Sequence, residues 1–186
     1  MEAAVDVEET KSGNREEGTP FRPPWSSPAE WREINAAFAY LMDRLGPSLD
    51  PAREQARRVE AGMTALFPLM DDLCAPTCPD CSEPCCRVAT LWYNFDDLLF
   101  LHLRGISPPD GQPMTGLGQT CRFLGPVGCR LHRLHRPWIC TWYICPPQTR
   151  LLRHRGRELP QQVDAIIADI KAGRAAMEAA FLRAVN

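Results

Sequence analysis

The sequence predicts a mainly α protein: an α-rich small domain with a cysteine-held irregular central region and room for one short hairpin. Three observations carry this. Apolar residues recur at helical spacing in stretches bounded by capping residues. All nine cysteines fall between Cys74 and Cys145. Residues Ile106 to Thr120 hold three prolines and three glycines, the composition of a long loop. At roughly 100–200 residues per domain, 186 residues make one domain with a tail. A hydrophobic content of 45% is that of an ordinary globular chain and excludes wholesale disorder.

The elements follow in order. Residues 1–25 carry six acids and little hydrophobic periodicity, and read as a disordered acidic leader to a domain over 26–186. Ser27-Pro28-Ala29-Glu30 supplies a cap, a first-turn proline and a reciprocal glutamate. Trp31, Ile34, Phe38, Leu41 and Leu45 then form one stripe, stopped by Gly46-Pro47. A second helix starts at Asp50-Pro51 with Ala52, Ala56, Val59, Met63 and Leu66 on one face, and Pro68 should end or kink it. A short helix is predicted over 95–104, with Asn94 as cap and Asp97 three residues on. The run RFLGPVG between Cys121 and Cys129 reads as a tight turn between two short strands. The last helix spans about Leu159 to Ala184, its stripe Val163, Ile167, Ile170, Met177 and Phe181, weakened at Gly173.

No apolar run is long enough for a bilayer, and MEAAVDVEET is acidic where a secretory signal is basic and then apolar. The expectation is a cytoplasmic protein with no membrane partner. In a reducing compartment, nine clustered thiols bind metal more often than they form disulfides. The plain alternative for any one of them is a buried small hydrophobe.

Two arrays hold the chemistry, in a motif core over 74–145. The first is Cys78-Pro-Asp-Cys81-Ser-Glu-Pro-Cys85-Cys86, with Cys74 just upstream. Two cysteines separated by two residues can turn their sulfurs to one point, the spacing of zinc and iron–sulfur knuckles. The second array is Cys121, Cys129, Cys140 and Cys145. In extended backbone, adjacent Cys85 and Cys86 face opposite ways, so they share one ion only through an unusual local turn; more simply, they serve two sites, or one ligates while the other packs. Eight thiolates fill two tetrahedral zinc sites, and four fill one zinc or one four-iron cluster. An iron–sulfur cluster is favoured over zinc because the arrays exceed what one zinc requires.

At these residues the chain resembles the YkgJ-type cysteine-cluster family, a zinc- or iron-chelating domain marked by CxxCxxxCC. The matching residues are Cys78, Cys81, Cys85 and Cys86, then the segment RVATLWYNFDDLLFL. Downstream come Cys121-Arg-Phe-Leu, Gly128-Cys129-Arg-Leu-His132 and Arg136-Pro137-Trp-Ile-Cys140. The match spans under half the chain. It departs at His132, where relatives usually carry Tyr, and at Thr141, where they often carry Arg. The resemblance implies an iron–sulfur or zinc site and very little about reaction. Some relatives resemble the flagellin lysine methylase, but no residues here transfer that activity.

From Cys121 to Arg157 there are eight arginines and no acid. Four thiolates around a divalent centre leave a net charge of about −2, whose burial needs cations. Arg136 is the first candidate for that supporting role, with Arg133 and Arg130 beside it. The competing reading makes Arg150, Arg153, His154, Arg155 and Arg157 a nucleic-acid stripe beside Trp138, Trp142 and Tyr143. A formal net charge of −2 for the whole chain weighs against it. His132 and His135 flank the second array, but with so many thiols at hand an ordinary polar role is the better reading. No phosphate loop, dinucleotide fingerprint or HExxH pattern appears, so no catalytic constellation is assigned. Three functions stay open: an electron-transfer or redox-sensing iron–sulfur protein, a structural zinc module for a protein partner, and a zinc-stapled nucleic-acid binder.

Overall fold

A computed structural model describes residues 22–79, 81–126 and 128–186. Most of the leader expected over 1–25 therefore lies outside the described residues. The described chain is mainly α, as the patterning predicts, and its one sheet is a two-stranded hairpin.

Helix α1 spans Pro28–Leu45 and opens on the expected capping box: the Glu30 N–H donates to Ser27 Oγ, and the Ser27 N–H donates to Glu30 Oε2 at 3.0 Å. A 3-10 turn over Gly46–Leu49 leads into α2, Asp50–Thr77. Of the two outcomes expected at Pro68, an end to the helix does not occur, because α2 continues through Pro68 and Pro76. The stripe explains why. Met70 and Leu73 continue the buried face of Val59, Met63 and Leu66. Burying two such side chains is worth about 1.5–3 kcal/mol each, enough to offset the ~3 kcal/mol cost of an interior proline.

Helix α7, Glu158–Val185, packs along α2, each about 42 Å long at 1.5 Å per residue. Glycine makes their close approach possible. A Cβ on Gly62 would stand 2.7 Å from Ile170 Cγ1, and one on Gly173 would stand 3.1 Å from Val59 Cγ2. All five stripe residues expected on α7 are buried, and so is Arg174 among them.

The central region hangs from this pair. After the single turn α3, Cys85–Val88, comes α4, Phe95–Leu103, with the Asn94–Asp97 capping box in place. The 106–120 segment carries no helix or strand. It is tied down by buried Gln112, which accepts from the Tyr93 N–H and donates to the Tyr93 and Pro24 carbonyls. The hairpin pairs β1, Leu124–Gly125, with β2, Gly128–Cys129, antiparallel. A 3-10 turn over Arg133–His135 and a single turn α5, Ile139–Trp142, precede α6, Pro146–His154. Patterning gave no sign of α6, whose sequence PPQTRLLRH buries only Gln148 and Leu152.

Two apolar cores result. The main one joins α1, α2, α4 and α7. A smaller one gathers Leu91, Met114, Cys121 and Phe123, with Cys86, Cys129 and Cys140 packed against it.

Candidate metal centre

The fold sorts the thiols into two neighbourhoods. Cys74 lies in the last turns of α2 and Cys78 caps its C-terminus, so they sit four residues apart on one helix face. The Cys81 N–H donates to the Cys78 carbonyl at 3.3 Å, folding the loop back on itself. Buried Gln148, on α6, donates to Cys74 Sγ at 3.4 Å and reaches Cys78 Sγ at 3.8 Å. Its Oε1 accepts from the Cys145 N–H at 3.1 Å. One amide thereby links the end of α2 to the last cysteine of the second array. Cys85 belongs to the same neighbourhood: burial raises its thiol pKa first, and the thiols of Cys145, Cys78 and Cys81 add to the rise.

Cys86 turns elsewhere. It follows Cys85 in α3, where successive side chains diverge by about 100°. The pair is therefore in a helical turn rather than the extended backbone expected, and its side chains diverge by less than opposite faces would. The Cys86 carbonyl accepts the Cys121 N–H at 2.7 Å. The hairpin sets Cys129 opposite Leu124, three residues past Cys121. The α5 turn, in which the Cys140 N–H donates to the Pro137 carbonyl at 2.9 Å, delivers the fourth thiol. Burial and then the thiols of Cys121 and Cys129 lift Cys86 to about 11. Burial, then Cys86, Cys129 and Cys121, push Cys140 well above the ordinary thiol range. Cys121 is also raised by burial, but the backbone N–H groups of Phe123 and Leu124 pull the other way. Backbone dipoles so placed favour the charged thiolate.

Arg136 is the cation that faces both neighbourhoods. It lowers the Cys74 thiol, otherwise lifted to about 11 by burial and by Cys78, and it lowers Cys86. Its Nε donates to the Leu131 carbonyl at 3.1 Å. Arg133 instead pairs with Asp71 and lies over the Phe67 ring, and Arg130 donates to the Arg122 carbonyl. The basic run is thus partly spent inside the molecule: Arg122 pairs with Asp110 at 3.0 Å and Arg155 with Asp72 at 3.4 Å. Arg150, Arg153 and Arg157 remain exposed.

His132 and His135 meet edge to face at 5.8 Å, and the His135 carbonyl accepts the buried Tyr93 hydroxyl. His102 stacks on Phe38 and meets Asn35 Oδ1 at 2.9 Å.

Sequence reasoning missed two residues here. Gln148 carried no signal, lying in a helix without a stripe. Arg174 reads as a solvated charge, yet it is buried against Asp97 Oδ1 at 2.8 Å. That same oxygen accepts the Trp138 N–H at 3.1 Å, so α7 and α4 together hold the turn leading to Cys140.

Among the described residues, no three His, Cys, Asp or Glu side chains stand as a closed coordination shell. The thiols are neighbours within each group rather than converged on one point. No helix of the described chain is long and apolar enough to cross a membrane. Comparison with protein-family models, curated proteins and solved structures finds no match for this chain.

Proposed function

We propose that this is a metal-binding protein in which the two cysteine arrays hold an iron–sulfur cluster or zinc. The observation that carries the reading is the Cys86–Cys121 hydrogen bond, which brings the CxxCxxxCC array against the downstream array with Cys129 and Cys140 alongside. The donor set suits soft metals: thiols only, with Arg136 to offset negative charge. A resident metal keeps its thiolates deprotonated against the upward push of burial, and drawing the sulfurs together uses part of the binding free energy. If the metal is iron, the role is electron transfer or redox sensing, because cluster potential responds to charge and exposure. If it is zinc, the role is a structural module for a protein partner.

Anaerobic purification with iron, zinc and acid-labile sulfide analysis tests this. Iron with sulfide supports the redox role, and zinc without sulfide supports the structural one. A chain carrying neither metal contradicts the proposal. Nucleic-acid binding is the weaker reading, because the chain carries a formal net charge of −2 and Arg155 of the stripe is already paired with Asp72.

A further inference from the structure

We propose that the chain holds two separate thiolate centres, an inner one on Cys86, Cys121, Cys129 and Cys140 and an outer one on Cys78, Cys81, Cys85 and Cys145, with Cys74 as a supernumerary thiol. This rests on the metal-binding reading above and goes beyond it in number, membership and accessibility. The grouping comes from the backbone. The 2.7 Å bond from Cys121 to the Cys86 carbonyl, the hairpin register at Cys129 and the α5 turn place the inner four together. They share one apolar cluster with Leu91, Met114 and Phe123. On the outer side Gln148 joins the Cys78 thiol at the end of α2 to the Cys145 backbone at the start of α6, and the thiols of Cys145, Cys78 and Cys81 all act on Cys85.

Adjacent Cys85 and Cys86 are the point of division. Divergence by about 100° in a helical turn sends one sulfur to each side. Each side then has four thiols, the number that one tetrahedral zinc or one four-iron cluster takes. The thiol surplus that favoured a cluster over zinc is accounted for by the second centre. Cys74 is left over: it lies inside α2, one turn before Cys78, and shares the Gln148 amide with it.

The two centres differ in access. The difference lies in one thiol of each, since Cys121 is 6% exposed in the apolar cluster and Cys78 is exposed, while the other six are half-buried. A chelator therefore reaches the outer centre first.

The test follows metal and thiols together in the full chain, as purified anaerobically and after refilling with zinc. The wild type is titrated with a chelator, and the freed cysteines are mapped by alkylation and mass spectrometry. Two steps are expected, each releasing half the metal, with Cys78, Cys81, Cys85 and Cys145 labelled before Cys86, Cys121, Cys129 and Cys140. The double variant Cys81→Ser/Cys85→Ser should retain half the metal with the inner four still protected. Cys74→Ser should retain all of it. Release in a single step with all eight thiols exposed together, or loss of all metal from the outer double variant, overturns the partition while leaving metal binding intact. Loss of metal from Cys74→Ser overturns the ligand assignment. A wild-type chain that takes up no metal overturns the metal-binding reading and the partition with it.

Discussion

The backbone N–H of Cys121 meets the Cys86 carbonyl at 2.7 Å, and through this bond an array that begins at the end of α2 touches one carried by the hairpin. It is a main-chain contact, so it does not depend on which way a sulfur points. The backbones that carry the two arrays are consequently held together by the fold itself, which meets part of the loop-closure entropy of joining them.

Arg136 should matter to both groups of thiols. Arg136→Ala removes the positive charge that lowers Cys74 and Cys86, so it should weaken metal retention or shift a cluster's potential. The triple substitution of Arg153, Arg155 and Arg157 lies beyond the last cysteine and should leave metal content unchanged. Metal analysis of the two proteins side by side checks this. If the nucleic-acid reading holds instead, the triple variant flattens the salt slope of oligonucleotide binding by about one unit per lost phosphate contact.

The Asp97–Arg174 pair should be expensive to break on one side only. Arg174→Met leaves the Asp97 carboxylate buried without its cation and should cost about 3–5 kcal/mol in denaturant unfolding. Replacing both partners with apolar residues should cost less than Arg174→Met alone, although Trp138 then loses its N–H acceptor. Equal costs for the single and double variants would contradict this account of the pair.

The α2–α7 contact predicts different outcomes at two glycines. Gly62→Ala drives a Cβ to 2.7 Å from Ile170 Cγ1, next to a stiff β-branched centre, and overpacking of this kind costs about 1–3 kcal/mol. Gly173→Ala meets only the Val59 Cγ2 methyl at 3.1 Å, and the gain in helix propensity of up to about 1 kcal/mol offsets it. Thermal melts should show a clear drop for the first and little change for the second.

His102 supplies a pH dependence. Burial against Phe38 and Asn35 lowers its pKa below the ordinary value of about 6.5. The unfolded chain then binds the proton more readily, so this contribution to stability is complete above about pH 6.5 and is lost as pH falls through the folded pKa. His102→Gln should flatten the fall in stability over that window relative to wild type. An unchanged slope would remove His102 from the account.

Much of this was legible in the sequence, for a physical reason. The stripes of α1, α2 and α7 and the two capping boxes are local patterns, and local patterns are what period and cap chemistry report. The loop over 106–120 and the hairpin declared themselves through glycine and proline. What escaped depends on contacts distant in sequence. Pro68 failed to stop α2 because Met70 and Leu73 find partners across the core. Arg174 hides in the buried stripe because Asp97, 77 residues away, neutralises it. Gln148 acquires meaning only when α6 comes to rest on the end of α2. The candidate site was legible as residue types and spacing, while its division into two groups needed the turn at Cys85 and Cys86.

The central claim is that sulfurs from both arrays bind metal, and the metal-edge X-ray absorption spectrum of the anaerobically purified chain tests it most directly. The account predicts a shell of sulfur alone at about 2.3 Å, with an added iron–iron distance if sulfide is present. A first shell dominated by nitrogen or oxygen, or a spectrum unchanged when Cys86 and Cys121 are both replaced by serine, would contradict it.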